Sequence, residues 1–197
     1  MKSSTIKSIN WSLAIAVITL VLAAIFSIIS TAMLSGVSWA IGMLIVFAIV
    51  LVGVVFDIVG VASTAADETP FHAMASERLN GAKQAIFIVR NADRVASFCN
   101  DVIGDISGIV SGTAAAAVVF QLSIQFGHGD GSIFQNVVSI MFTSVVAALT
   151  VGGKALGKSF AIHFSTGIIY QVGRLLYFVE QTFKIKITTS KKKRKSK

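Results

Sequence analysis

Four stretches of this chain, 11–34, 37–56, 106–127 and 132–153, contain no Asp, Glu, Lys or Arg. Apolar positions neither alternate there nor leave a polar stripe; they run on almost without interruption. Each stretch is close to the ~20 residues that a helix rising 1.5 Å per residue needs to cross about 30 Å of hydrocarbon. The pattern predicts transmembrane helices over about 11–34, 37–66, 95–127 and 132–153. Between the second and third the pattern changes. Phe71, Met74, Ala75, Leu79, Ala82, Ala85, Ile86 and Val89 recur at helical spacing among charges. Asp67 is placed to cap a helix start, with Pro70 tolerated in the first turn. Segment 67–94 therefore predicts one or two amphipathic helices along the inner membrane face. Segment 159–172 is too short to span and predicts a second interfacial helix, continuing through Arg174 to about Phe183. Tyr170 and Tyr177 suit the headgroup level there.

The expected class is an all-α integral membrane protein with four transmembrane helices and cytoplasmic-side amphipathic helices. Composition agrees: of 197 residues, 54% are apolar and 13% charged, and no hydrophilic stretch is long enough for a soluble core. The first apolar run is too long for a signal-peptide core and reads as an uncleaved helix. The single cysteine, Cys99, excludes an internal disulfide and reads as a small apolar filler at a helix interface.

Charge decides orientation. Lys2 and Lys7 precede the first run, Arg78, Lys83, Arg90 and Arg94 lie between the second and third, and KKKRKSK closes the chain at 191–197. The connections at Ser35-Gly36 and 128–131 carry no Lys or Arg. This asymmetry predicts a multi-pass plasma-membrane protein with both termini and segment 67–94 in the cytoplasm. Much of the net charge of +8 sits in the tail, which reads as an anchor for anionic lipid headgroups. No aromatic residue is interleaved with its basic ones, so nucleic acid is not an expected partner.

Small residues recur every four positions at Gly104, Gly108 and Gly112, joined by Ser107, Ser111 and Ala115, and again at Gly153 and Gly157. Such seams let transmembrane backbones approach closely, and the first of them predicts a homodimer.

The chemistry stands out against this apolar ground. Asp57, Asp101, Asp105 and Lys154 lie in or at the ends of the spans, where a charge costs at least ~2.5–3.5 kcal/mol and faces protein or water. In the expected topology Asp57 lies roughly 13 Å deep and Asp101 and Asp105 roughly 10 and 16 Å deep, all in the inner half of the bilayer. Asp101 and Asp105, four apart, share a helix face with Gly108 and Gly112. Asn100 stands beside them, and Ser63, Thr64, Ser97 and Ser107 add hydroxyls. An oxygen-rich, carboxylate-led set suits a hard cation such as Mg²⁺. Closely spaced carboxylates in low dielectric also make proton-binding groups. The plainer alternative is that Lys154 pairs with one aspartate to hold the bundle together. Enzyme chemistry is not expected: His72, His128 and His163 are scattered, and neither a nucleophile–base pair nor a phosphate loop is visible.

The order of these elements resembles the transmembrane domain of the cyclin-M / CorC-type magnesium transporter family. Phe56-Asp57-Ile58-Val59-Gly60 through Ala65 stands where that family has a Phe-Ser-Gly-Ser-Glu-like run. Residues 77–83, Glu-Arg-Leu-Asn-Gly-Ala-Lys, look like its Glu-x-Gly-x-x-Gly-Ala-Lys, and Asn91-Ala-Asp-Arg94 like Asn-Pro-Asp-Arg. Residues 153–161, Gly-Lys-Ala-Leu-Gly-Lys-Ser-Phe-Ala, look like Gly-Glu-Ile-Leu-Pro-Lys-Thr-Leu-Ala. The resemblance covers roughly 45–183. With the charge asymmetry, it divides the chain into an expected cytoplasmic N-terminus at 1–10, an extra first helix at 11–34, a family-like domain at 35–183 and a basic cytoplasmic tail at 184–197. The polar residues themselves predict a metal site drawn from Asp57, Asn100, Asp101 and Asp105, lined or charge-compensated by Lys154, Ser63, Ser107 and Gly153, and the resemblance places Asp57, Lys154 and Asn100 or Asp105 at family site positions. The departures are specific. Asp57 replaces the first family serine, Val59 the second and Lys154 the glutamate, while the family asparagine falls on Asn100 or Asp105. The cystathionine-β-synthase-type modules that follow in the family have no counterpart in this sequence. The leading expectation is therefore ion handling through this site, of a divalent cation or proton, with Mg²⁺ as the ion the resemblance implies; the alternative is a non-transporting scaffold or regulatory subunit with Lys154 in the cation's place.

Overall fold

The computed structural model describes residues 2–126 and 132–183. The polar connection at 128–131 and the basic tail lie outside the described residues. Every described element is a helix: α1 (Lys2–Leu34), α2 (Trp39–Ala65), α3 (Thr69–Ser76), α4 (Ala82–Arg90), α5 (Ala92–Ala96), a π-helical segment (Ser97–Gly104), α6 (Asp105–Gln125), α7 (Ile133–His163) and α8 (Ser165–Phe183). Four helices are long and apolar enough to cross a membrane: Trp11–Leu34 within α1, α2, the continuous run Ala92–Gln125, and α7. These match the four expected spans in number and order.

α2 is the central helix, packed chiefly against α7, α6 and the π-helical segment. Its contacts use missing side chains as much as present ones. A Cβ on Gly42 would lie 2.7 Å from Val118 Cγ2, and one on Gly53 would lie 2.8 Å from Ser107 Cβ. Around them Val46, Val50, Ala114, Ala115, Val118 and Val146 form a buried cluster. Lipid tails are as apolar as Leu, so close backbone approach rather than hydrophobic burial favours such contacts. The pairings 42 with 118 and 53 with 107 make α6 antiparallel to α2. Gly153 against Val54 and Gly157 against Ile58 make α7 parallel to it. α1 packs mainly on α6, through Ile15, Leu22, Ala23 and Phe26 against Val102, Ile106 and Val110. At its start the Arg94 guanidinium lies 5.2 Å from the Trp11 ring centroid, which places both at one end of the bundle.

Segment 67–94 forms two short helices, α3 and α4, followed by α5. Pro70 sits in the first turn, as its spacing predicts; Asp67 Oδ1 accepts from the Thr69 N–H at 3.3 Å, but the N-cap position is held by Glu68, which makes no side-chain cap bond. The α3–α4 turn needs left-handed backbone at Arg78 (φ 58°) and Gly81 (φ 92°). The apolar stripe is not simply laid on lipid. Phe71, Ala85 and Ile88 are buried with Ala62 of α2, Ala161 of α7 and Ile169 of α8.

The boundary after the fourth span differs from expectation. α7 does not stop near 153; it runs to His163, and the next helix begins at Ser165. A glycine pair followed by lysine reads as a helix end in the sequence. Here Gly153 and Gly157 lie flat against Val54 and Ile58, and Lys154 points into the bundle, so the helix continues. The third span also holds an unexpected feature, the π-helical turn at 97–104.

Candidate functional site

The site forms where α2, the π-helical segment and α7 meet. α2 presents Gly53, Asp57 and Gly60, at helical spacing, to the opposing helix. Gly53 faces Ser107, a Cβ on Gly60 would collide with the Asn100 carboxamide, and Asp57 Oδ1 lies close to Gly104. The register 53–107, 57–104, 60–100 is antiparallel and continuous across the π-helical turn. Residues at 100, 104 and 107 therefore face α2, whereas Asp101 and Asp105, one position on, rotate off that face.

Asp57 is 5% exposed. Lys154 reaches across from α7, its Nζ 3.7 Å from Asp57 Oδ1 and 3.9 Å from Asp105 Oδ1. Gly104 makes this possible, since a Cβ there would stand 3.3 Å from Lys154 Nζ. One ammonium thus lies between two carboxylates from two other helices, a trio of formal charge −1. Both separations exceed hydrogen-bond length, so the attraction is Coulombic and undirected. The two arms differ: the Asp57 side chain is 7% exposed and that of Asp105 is 67% exposed. Water screens the second arm far more than the first.

Asp101 does not join the trio. Its Oδ2 accepts from Ser97 Oγ at 2.6 Å, one turn back, and it makes no ion pair within 4.0 Å among the described residues. Asn100 Oδ1 and Ser107 Oγ are buried without a hydrogen-bond partner on the same α2-facing surface. Ser63 serves the backbone, donating to Gly60 O at 2.7 Å and to Ala92 O at 3.5 Å. Gly153 packs on Val54, not on a polar group. Of the eight site residues singled out in the sequence, Asp57, Asp105 and Lys154 are brought together. Asn100 and Ser107 line the same helix contact, and Asp101, Ser63 and Gly153 do other work. Among the described residues no group of three or more His, Cys, Asp or Glu side chains has metal-holding geometry.

The sequence reading missed the π-helical turn and Gly60. Single-turn π geometry inside an α-helix is frequent at functional sites. Its only trace in the sequence is the polar cluster 97–101 inside an apolar run. The expected seam of Gly104, Gly108 and Gly112 also divides. Gly104 faces Lys154 and Asp57, while Gly108 and Gly112 have nothing within 4 Å of an added Cβ. They line an open groove of about 250 Å³ against Thr143, Ala147 and Thr150 of α7.

No protein-family model, no curated protein and no solved structure matches the chain.

Proposed function

We propose that this chain is a multi-pass membrane protein, both termini cytoplasmic, that acts as a non-transporting scaffold or regulatory subunit. In this reading Lys154 fills the position of a cation between Asp57 and Asp105. The observation that carries it is the single Nζ at 3.7 and 3.9 Å from the two carboxylates. The positive-inside distribution supports the orientation. The motif order shared with the cyclin-M / CorC-type domain supports the notion of a displaced cation, because Lys154 stands at that family's glutamate position. Melting temperature against Mg²⁺ concentration tests the reading. The wild-type chain is expected not to respond, and Lys154→Glu to acquire Mg²⁺ stabilisation. A wild-type chain that Mg²⁺ stabilises, with the effect lost in Asp57→Asn, overturns it.

One observation favours the second reading, ion handling through the same site. Asn100 Oδ1 and Ser107 Oγ are buried acceptors without partners, and the Asp105 carboxylate is open. With Asp57 they supply oxygen donors of the type a hard cation takes. In this reading the lysine swings away to admit the ion. A homodimer belongs to either reading, with the open face of Asp101, Asp105, Gly108 and Gly112 as the contact. Carboxylates on an otherwise apolar span need protein or water beside them. Cysteine cross-linking at Gly108 in a Cys99→Ser background tests it, and a strictly monomeric particle in mild detergent ends it.

A further inference from the structure

A second polar region lies outside this site, where the α3–α4 turn meets α8. A cavity of about 500 Å³ is lined by Arg78, Asn80, Lys83 and Tyr177. Asn80 and Tyr177 also line an adjoining hollow of about 440 Å³ that extends to Arg174, Leu175 and Phe178. Arg78 and Lys83 thus line the first hollow and Arg174 the second, with Asn80 and Tyr177 shared between the two. None of the three has a carboxylate within 4.0 Å among the described residues. The nearby acid Glu180 is engaged by the buried Gln84, whose Nε2 donates to it at 2.6 Å.

The convergence is built by the backbone. Gly81 and Gly173 let α8 press directly on the start of α4: a Cβ on Gly173 would lie 2.5 Å from Gly81 O, and one on Gly81 would lie 2.5 Å from Arg174 N. That contact holds Arg174 beside the turn carrying Arg78 and Lys83. Arg78 itself occupies left-handed backbone at φ 58°, a conformation that glycine takes without cost. Arg78 thus carries a backbone cost that glycine would avoid, as strained residues at binding sites do. Next to the basic cavity, Leu175 and Phe178 are 64% and 70% exposed on a helix whose other face is buried.

We propose that these two adjoining hollows together bind the phosphate headgroup of an anionic phospholipid, with Arg78, Lys83 and Arg174 as its ligands and Leu175 and Phe178 along the acyl chains. Guanidinium groups match phosphate by paired N–H donors and lysine adds a point charge. Basic pockets beside membrane-spanning helices suit such headgroups. A free phosphate would use the cations but not the exposed apolar pair.

The test uses the full chain in uncharged detergent. Melting temperature is followed with dioctanoyl phosphatidylglycerol, dioctanoyl phosphatidylcholine or inorganic phosphate at matched ionic strength. Phosphatidylglycerol at a hundred times its Kd is expected to raise Tm by about 5–10 °C, with little effect from the other two. The triple variant Arg78→Gly, Lys83→Gln, Arg174→Gln is expected to lose the shift. Replacing Lys191, Lys192, Lys193 and Arg194 by Gln is expected to preserve it. Arg78→Gly alone relieves the turn, so its lipid-free Tm should equal or exceed that of the parent while its response weakens. An undiminished shift in the triple variant, or one that disappears with the tail substitutions, overturns the proposal. An equal response to inorganic phosphate overturns the lipid assignment in favour of a free-anion site.

Discussion

The bundle around Asp57 and the cap formed by α3, α4 and α8 use glycine and charge in opposite ways. In the bundle, glycines face side chains: Gly53 meets Ser107, Gly60 meets Asn100 and Gly157 meets Ile58. Asp57 lies inside, with Lys154 drawn to it across helices, while Asp101 and Asp105 stay exposed. In the cap, glycine meets backbone, Gly173 against Gly81, and the interior is mainly apolar, with Phe71, Ile88 and Ile169 nearly inaccessible and Gln84 the buried exception, bonded to Glu180. Its charges face outward. The difference follows from the solvent each region meets. A span surrounded by apolar chain gains little by burying more of it, so close approach and polar pairing supply specificity. A cap that meets water gains from burying apolar area and leaves its charges outside.

Gly173→Ala is the largest expected blow to the cap. Its Cβ would meet Gly81 O at 2.5 Å, and backbone cannot swing aside as a side chain can. A loss of about 3 kcal/mol or more is expected, read as a fall in Tm. A neutral result would mean that α8 is not seated on α4. In the bundle the corresponding test is Lys154→Ala. It leaves the nearly inaccessible Asp57 carboxylate without its counter-charge, for a loss of about 3 kcal/mol, the low end for breaking a buried pair. Adding Asp57→Asn should restore most of that loss. Adding Asp105→Asn should restore little, because that carboxylate is open to screening. Equal rescue by both would show that the two arms do not differ.

A smaller contrast lies along the glycine seams. Gly157→Ala pushes only on the Ile58 side chain, at 2.8 Å from Cγ1, and is expected to cost about 1–2 kcal/mol by overpacking. Gly108→Ala meets nothing within its own chain and should add about 0.5–1 kcal/mol of helix stability. If cross-linking shows a dimer and Gly108→Ala weakens it, the groove is its contact. The smallest effect belongs to the outward charges of the cap. The Glu68 carboxylate accepts from His72 Nε2 at 2.7 Å and from Arg90 Nε at 2.6 Å. The histidine bond foremost holds its pKa below the usual 4.5; desolvation opposes it, and the Arg90 bond and charge add to the lowering. A lowered carboxylate pKa stabilises fully above the unfolded value and is lost as pH falls through the folded one. The Tm difference between wild type and Glu68→Gln should therefore be greatest above pH 4.5 and shrink progressively as pH falls through the lower folded value. A difference that persists into strong acid would rule out the ionic contribution.

The four spans, their order and the helical nature of segment 67–94 were legible in the sequence, because a run of uncharged apolar residues is itself a length measurement against the bilayer. The candidate site was legible only in part. Asp57, Asp105 and Lys154 are conspicuous as charges in apolar surroundings, and the structure gathers them. Asp101 looks identical by that criterion yet turns to Ser97, since a π-helical turn and a one-position offset decide which side chains face α2. Gly153 and Lys154 look like a helix end and are not one.

What the chain determined by itself is what depends on composition along a line: span length, charge asymmetry and amphipathic period. What only the tertiary structure decided depends on angles and on neighbours distant in sequence. The Gly60–Asn100 and Gly104–Lys154 contacts, the division between Gly104 and the open Gly108 and Gly112, and the seating of Gly173 on Gly81 are all of this kind. A glycine carries no mark of which helix will fill its space. A rotation of one residue, about 100° around a helix, exchanges a buried side chain for an exposed one without changing the hydropathy of the run.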